Sequence, residues 1–150
     1  MEACSSQIIK KKTILPQNYL PDENEEYMNA KQLEYFRMKL ISWKNELLNE
    51  SRQTIDHLSK ENWQEPDLND RASLETDTTL ELRTRDRYRK LLDKIDSALH
   101  KVDEGEYGYC EETGDQIGIR RLEARPIATL TIEAQERHEN YERLHNEEDD

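Results

Sequence analysis

From Ala72 to Asp103 the chain runs without a glycine or a proline, and Tyr88, Leu91, Leu92, Ile95, Leu99 and Val102 return along it at heptad-like spacing. An unbroken run with that period reads as one long helix. A second such pattern lies upstream. Asn29 is placed as an N-cap, Gln32 follows three positions on in the manner of a capping box, and Leu33, Phe36, Leu40, Trp43 and Leu47 then recur at steps of three and four. Ile41, Leu48, Ile55 and Leu58 extend this apolar face, which thins towards Lys60. Between the two patterns stands EPDLNDRASLE, Glu65 to Glu75. Pro66 disfavours helix at Glu65, Asp67 and Asn69 are turn formers, and Asp70 can cap the helix opening at Arg71 and Ala72. Two helices of about 30 residues joined by a short loop must lie antiparallel, each reaching roughly 45 Å. The chain is therefore expected to be an all-α finger, a long antiparallel coiled-coil hairpin with its tip near 65–72 and its richest seam at the base.

Composition agrees with thin helical packing. Only 33% of residues are hydrophobic against 37% charged, which leaves too little apolar content for a large globular core. Four glycines and four prolines are also few for a loop-rich β protein. The net charge of −12 works against direct DNA binding, because affinity for a phosphate backbone comes from clustered Lys and Arg. No run approaches the roughly 18 apolar residues of a membrane span, and MEACSSQIIKKK lacks a secretory apolar region, so a cytoplasmic location is expected. In a reducing compartment Cys4 and Cys110 are not expected to pair. Glu111 and Glu112 should raise the Cys110 pKa and leave an inert, partly buried thiol.

The flanks of the hairpin divide the rest. Residues 1–28 read as an arm packing on the base, partly mobile, in which Lys10 to Lys12 form a solvated basic patch. The hairpin occupies 29–104. Gly105 and Gly108 end its second helix, and a compact region, 105–130, follows with Tyr107, Tyr109, Ile117, Ile119 and Leu122 as its apolar content. Residues 131–150 have the composition of a C-terminal helix with an acidic tail. On the second long helix Arg83, Arg87, Lys90 and Lys94 fall within a wedge of about 60° beside the apolar seam. That stripe is either a partner surface or a solvated face paired with acids of the first helix such as Glu46 and Glu50.

The segment YGYCEETGDQIGIRRLEARP, Tyr107 to Pro126, resembles the signature region of the DksA family of bacterial RNA polymerase regulators. The resemblance runs back through LELRTRDRYRKLLDKI, PDLNDRA and EEYMNAKQLEYFRMKL and covers about Glu25 to Arg137. It implies a protein that is not an enzyme. Its coiled coil enters the secondary channel of RNA polymerase, between the largest subunits, without contacting DNA. It alters promoter open-complex stability together with the alarmone ppGpp, inhibiting rRNA promoters and activating some others. A monomer is implied, with no membrane association. The family's tip motif falls on Asp67, Asp70, Arg71 and Ala72, which would sit near the polymerase active site. Arg83, Arg87 and Lys90 become candidates for contacts along the channel rim. The implied ppGpp positions are Leu91, Lys94 and Arg125, while a fourth, usually lysine, is Gln135 here, which weakens the nucleotide response.

The same resemblance carries a departure. The family's zinc finger uses four cysteines in two CxxC pairs, and those positions read Cys110, Thr113, Thr131 and Ala134. Thr and Ala do not replace thiolates, so no structural zinc is expected, and the region is read as degenerate and zinc-finger-like. The pattern resembles the zinc-independent paralogues of the family. Ile117, Leu122, Leu130 and Ile132 are then the apolar groups left to hold this region. Two other functions fit an acidic coiled-coil finger: a Gre-like transcript-cleavage factor whose tip carboxylates help hold Mg²⁺, and a structural coiled-coil adaptor.

Overall fold

The computed structural model describes residues 13–61 and 71–148, apart from the side chains of residues 61, 71–75, 147 and 148. Four helices follow one another: α1 Ala30–Glu61, α2 Arg71–Glu104, α3 Ile119–Ala124 and α4 Ile132–Glu148. The architecture is all-α. Among the described residues the only β-type pairing is one isolated antiparallel bridge, Tyr109 with Gln116. Helices α1 and α2, of 32 and 34 residues, pack along one another as the hairpin.

The start of α1 shows why the chain turns there. The Asn29 side chain accepts the Gln32 amide at 2.9 Å, as an N-cap should, and the Asn29 carbonyl accepts the Leu33 amide at 3.0 Å. The return contact differs from a capping box by one residue. The Gln32 carboxamide accepts the amide of Met28 at 2.8 Å, and its Nε2 donates to the Asp22 carbonyl at 3.1 Å. This fully buried glutamine thus fastens the preceding arm to the helix end, with Met28 at φ 53 turning the backbone.

Packing concentrates at the base. Phe36 and Leu40 from α1, Ile95 from α2 and Leu122 from α3 are each 0% exposed. Leu47, Tyr88, Ala98, Val102, Tyr107, Ile117 and Ile119 close around them. The periodicity therefore located the seam, although Leu33, Trp43, Leu91, Leu92 and Leu99 are only half-buried. Ile41 and Leu48, expected to widen the apolar face, are exposed. A two-helix hairpin has one seam, and among the described residues nothing covers its flank at these two positions. Ile132, expected to support the compact region, is also exposed, because α4 turns that position outward and buries Ala134 instead.

A ladder of edge-to-face rings joins the arm to this core: Tyr19 on Tyr35, Tyr35 on Phe36, and Tyr27 on Tyr109. Tyr27 is the bolt. Its hydroxyl donates to the Gly108 carbonyl at 2.6 Å and accepts the Gly118 amide at 3.0 Å. Gly108 has φ +92, and a Cβ there would lie 2.9 Å from Met28 Cγ and 3.1 Å from the Tyr27 hydroxyl. Glycine is required both by the left-handed backbone and by the close approach of the arm. Among the described residues no helix is long and apolar enough to cross a membrane.

Candidate functional site at the base of the hairpin

Where α2, the short helix α3 and the start of α4 meet, a cleft of about 420 Å³ is lined by Lys94, Ser97, Arg121, Arg125, Thr129 and Gln135, among others. Its shape follows from the end of α3. The Arg125 amide bonds back to Arg121 at 2.8 Å, and the Ala128 amide to Arg125 at 3.0 Å, so the chain turns tightly after Ala124. Pro126 is buried, and its carbonyl accepts the Tyr107 hydroxyl at 2.7 Å, which pins the turn to the core. Burial raises the Tyr107 pKa, so this phenol stays a neutral donor.

The cations of the cleft are unequal. The Arg121 Nε donates to the Leu130 carbonyl at 2.9 Å and holds the wall together. Lys94 and Arg125 are exposed and have no ion-pair partner among the described residues. Two unpaired cations beside two hydroxyls form a surface suited to a multiply charged anion. Gln135 lines the same cleft but directs its Nε2 to Glu139 at 2.9 Å.

A second groove, of about 590 Å³, adjoins it along the other flank of Arg125. Trp43, Glu46, Leu91 and Pro126 line it, and Arg125 and Ile127 belong to both cavities. At its edge Lys39 Nζ contacts Glu123 Oε1 at 2.7 Å and the Glu123 carbonyl at 2.9 Å. Tyr35 donates to the same carboxylate at 2.8 Å, and burial together with that bond pushes its pKa up to about 12. The proposed nucleotide positions thus divide: Leu91 lines the second groove, Lys94 and Gln135 the first, and Arg125 both.

Further along α2 the basic stripe makes no ion pair with α1 among the described residues. Lys90 contacts Asp86 on its own helix at 2.9 Å, and Arg87 lies over the Tyr88 ring at 5.7 Å from its centroid. Neither Arg83 nor Arg87 has an ion-pair partner among the described residues, and Glu50 accepts the Tyr88 hydroxyl at 3.3 Å instead. An ion pair that does cross the hairpin is Lys44 with Asp96, at 2.6 Å.

Cys110, Thr131 and Ala134 form a buried corner, which the exposed Thr113 adjoins through its hydrogen bond to the thiol. Cys110 is 4% exposed and free. Burial pushes its thiol up, but hydrogen bonds from the Thr113 hydroxyl and from the backbone amides of Thr131, Thr113 and Glu112 bring it down to about 7. This corrects the upward shift expected from Glu111 and Glu112. Those carboxylates turn to Lys101 and to His138, the latter at 2.7 Å, while the amides face the sulfur. Thr131 Oγ1 accepts the Ala134 amide at 3.3 Å and caps α4.

Two family models match the chain. The "DnaK suppressor protein DksA, N-terminal domain" covers residues 32–102, and the "Prokaryotic dksA/traR C4-type zinc finger" covers residues 105–140. The chain is 62% identical over 128 residues to the RNA polymerase-binding transcription factor DksA of Caulobacter vibrioides, spanning 85% of this chain and 90% of that protein. The chain belongs to the DksA family. The DksA of Escherichia coli K12 is 50% identical over 115 residues, 77% of this chain and 76% of that protein. The solved structure of transcription factor DksA2 from Pseudomonas aeruginosa superposes with a TM-score of 0.71 at 44% identity, covering 78% of this chain and 90% of that one. These DksA proteins are named as transcription factors, not enzymes, and the non-enzymatic reading stands.

Membership of the DksA family makes the metal corner a test of chemistry. The C4-type zinc-finger model spans these four positions, yet one thiol, two neutral hydroxyls and a methyl do not supply a tetrahedral Zn²⁺ set. Among the described residues no group of three or more His, Cys, Asp or Glu is arranged to hold a metal ion. The residues present do not fit zinc. Asp67 and Asp70 of the tip lie outside the described residues, and Arg71 and Ala72 open α2. Sequence reading missed Trp43 and Glu46 as cavity residues and Tyr27 as the bolt. Trp43 had been assigned to the seam, and no local signal marks a tyrosine in an extended arm as a long-range bond.

Proposed function

We propose that this chain is a DksA-type transcription regulator that binds bacterial RNA polymerase in the cytoplasm through the secondary channel, as a monomer and without contacting DNA. It shifts promoter open-complex stability together with ppGpp, and it does so without zinc. The supporting observation is the cleft at the hairpin base, where Lys94 and Arg125 stand unpaired beside hydroxyl groups on the one face that α2 and the compact region share. Such a surface suits a tetraphosphorylated nucleotide held jointly with a partner. Its relatives are named for binding RNA polymerase, and an acidic finger of net charge −12 suits a protein channel better than a duplex.

In this reading Asp67, Asp70, Arg71 and Ala72 act near the polymerase active site, and Arg83, Arg87 and Lys90 contact the channel rim. Leu91, Lys94 and Arg125 face ppGpp. The Cys110 corner, satisfied by hydrogen bonds, takes the structural place of the metal. The test is transcription in vitro from a ribosomal RNA promoter, with and without ppGpp. Asp70→Asn should fold and lose most of the inhibition, while Lys94→Ala should keep basal inhibition and lose the ppGpp increment. Equal inhibition by wild type and Asp70→Asn would remove the tip from the mechanism. Robust shortening of nascent RNA in backtracked complexes would point to a cleavage factor instead. Metal analysis of the purified protein should find far less than stoichiometric zinc.

A further inference from the structure

Glu23, Tyr27 and Met28 reach from the arm to the compact region, and Tyr27 and Met28 meet the loop that carries Cys110. Residues 108–118 close on themselves. The Ile117 amide bonds to the Gly108 carbonyl at 2.9 Å, the Cys110 amide to the Asp115 carbonyl at 2.8 Å, and the Gly114 amide to the Cys110 carbonyl at 2.9 Å. The outer residues of this loop, 111–116, are all exposed, so little packing holds it from outside. At its mouth the Tyr27 hydroxyl donates to Gly108 and accepts from Gly118, and one side chain thereby ties the two ends of the loop together. Met28 lies against Gly108 with no room for a Cβ between them, and Glu23 pairs with Arg120 at 3.2 Å.

The other half of the fastening is on α1. The Gln32 carboxamide holds the Met28 amide and the Asp22 carbonyl, and the Asn29 Nδ2 donates to Glu25 at 3.0 Å. Tyr19 donates to the same Glu25 carboxylate at 2.6 Å. The arm is thus anchored on the hairpin and closed over the loop, through Tyr27 bonds that join residues 81 and 91 positions apart.

In a C4-type zinc finger the metal closes so small a unit, because four thiolate bonds supply much of its folding energy. Here the four positions hold one thiol, two hydroxyls and a methyl, and the hydrogen bonds at that corner are individually much weaker than thiolate–metal bonds. We infer that the arm is a releasable strap that does the closing work of the metal these positions cannot hold. With Tyr27 and Met28 seated, the compact region is shut against the hairpin. When the arm lifts, residues 106–119 open as a unit while the shaft of α1 and α2 stays folded. The mismatch between the C4-type model and the ligands present carries this inference, together with the paired bonds of the Tyr27 hydroxyl. A metal site opens by chelation or thiol oxidation, whereas a strap opens to whatever displaces a peptide, so control of the region passes to residues 13–28.

The experiment follows the buried Cys110 by its rate of labelling with a thiol reagent in the native full-length protein, in a Cys4→Ser background that leaves it the one thiol. Tyr27→Phe keeps the ring, removes both bonds and should raise the rate about tenfold. Leu82→Ala on the shaft should leave the rate unchanged, and far-UV circular dichroism should show wild-type helicity in both variants. Thr113→Cys, Thr131→Cys and Ala134→Cys together supply a full thiolate set. Loaded with Zn²⁺, that protein should show amide exchange over residues 106–119 that no longer responds to Tyr27→Phe. If Tyr27→Phe and Tyr27→Ala both label at the wild-type rate, the arm does not close the region and the inference fails. It fails equally if Tyr27→Ala melts the shaft and the compact region in one step, or if the zinc-loaded protein stays as sensitive to Tyr27→Phe as the wild type.

Discussion

The two ends of the hairpin are built from similar helical sequence but are held in different ways. At the base, Phe36, Leu40, Ile95 and Leu122 are sealed from solvent by the compact region and the arm, and hydrogen bonds such as Tyr107 to Pro126 fix the turns around them. Further along α2, Leu80 and Leu82 are 51% and 62% exposed, and its ion pairs, Arg85 with Glu81 and Arg89 with Asp86, stay within one helix. Burial at the base costs the chain a third layer. Among the described residues the distal shaft keeps only a two-helix seam, which leaves side chains such as Leu80 and Leu82 exposed. A finger of this kind separates the part that maintains the fold from the part free to make contacts.

That contrast sets an order of effects. Phe36→Ala removes a fully buried ring from the base and should lower unfolding free energy by about 3–5 kcal/mol in denaturant titration. A much smaller loss would mean that the base is not the stabilising unit. Tyr27→Phe deletes both hydroxyl bonds of the bolt and should cost about 1–3 kcal/mol, because the Gly118 amide and the Gly108 carbonyl lose a partly buried partner. Hydrogen exchange should rise in the arm and around Gly108 before it rises along the shaft.

The Cys110 corner predicts a pH dependence of smaller size. Its folded pKa of about 7 lies below the ordinary 9.0, so the thiolate's contribution to stability is complete above about pH 9 and is lost as pH falls through about 7. The denaturant midpoint of wild type relative to Cys110→Ser should therefore rise between those limits, and a parallel pair of curves would discard the amide-stabilised thiolate. Least affected should be Leu82→Ala, expected to change stability by no more than about 0.5 kcal/mol. A large loss there would show that the shaft is buried against something in the isolated protein.

Much of the fold was legible because helices announce themselves by period. The unbroken run from Ala72 and the spacing of Phe36, Leu40 and Leu47 place both long helices, and α1 begins one residue after the Asn29 cap. The exposed Ile41, Leu48 and Ile132 were misplaced because apolar character shows what a side chain tolerates, not what neighbour is available to cover it. The Cys110 shift was misread because adjacent acids are visible in a string of residues, whereas backbone amides pointing at a sulfur are not. In the candidate site, Leu91, Lys94 and Arg125 could be named from resemblance alone. Their division between two cavities, and the company of Trp43 and Glu46, depends on how α3 ends.

By itself the sequence determined the long helices, the cap at Asn29 and the absence of a zinc ligand set, since each is a matter of local period or residue chemistry. Only the tertiary structure decided which cations stay unpaired, that Tyr27 ties the arm to Gly108 and Gly118, and that two cavities share Arg125. Those features join residues far apart in the chain, and their energies depend on distances that no local pattern encodes.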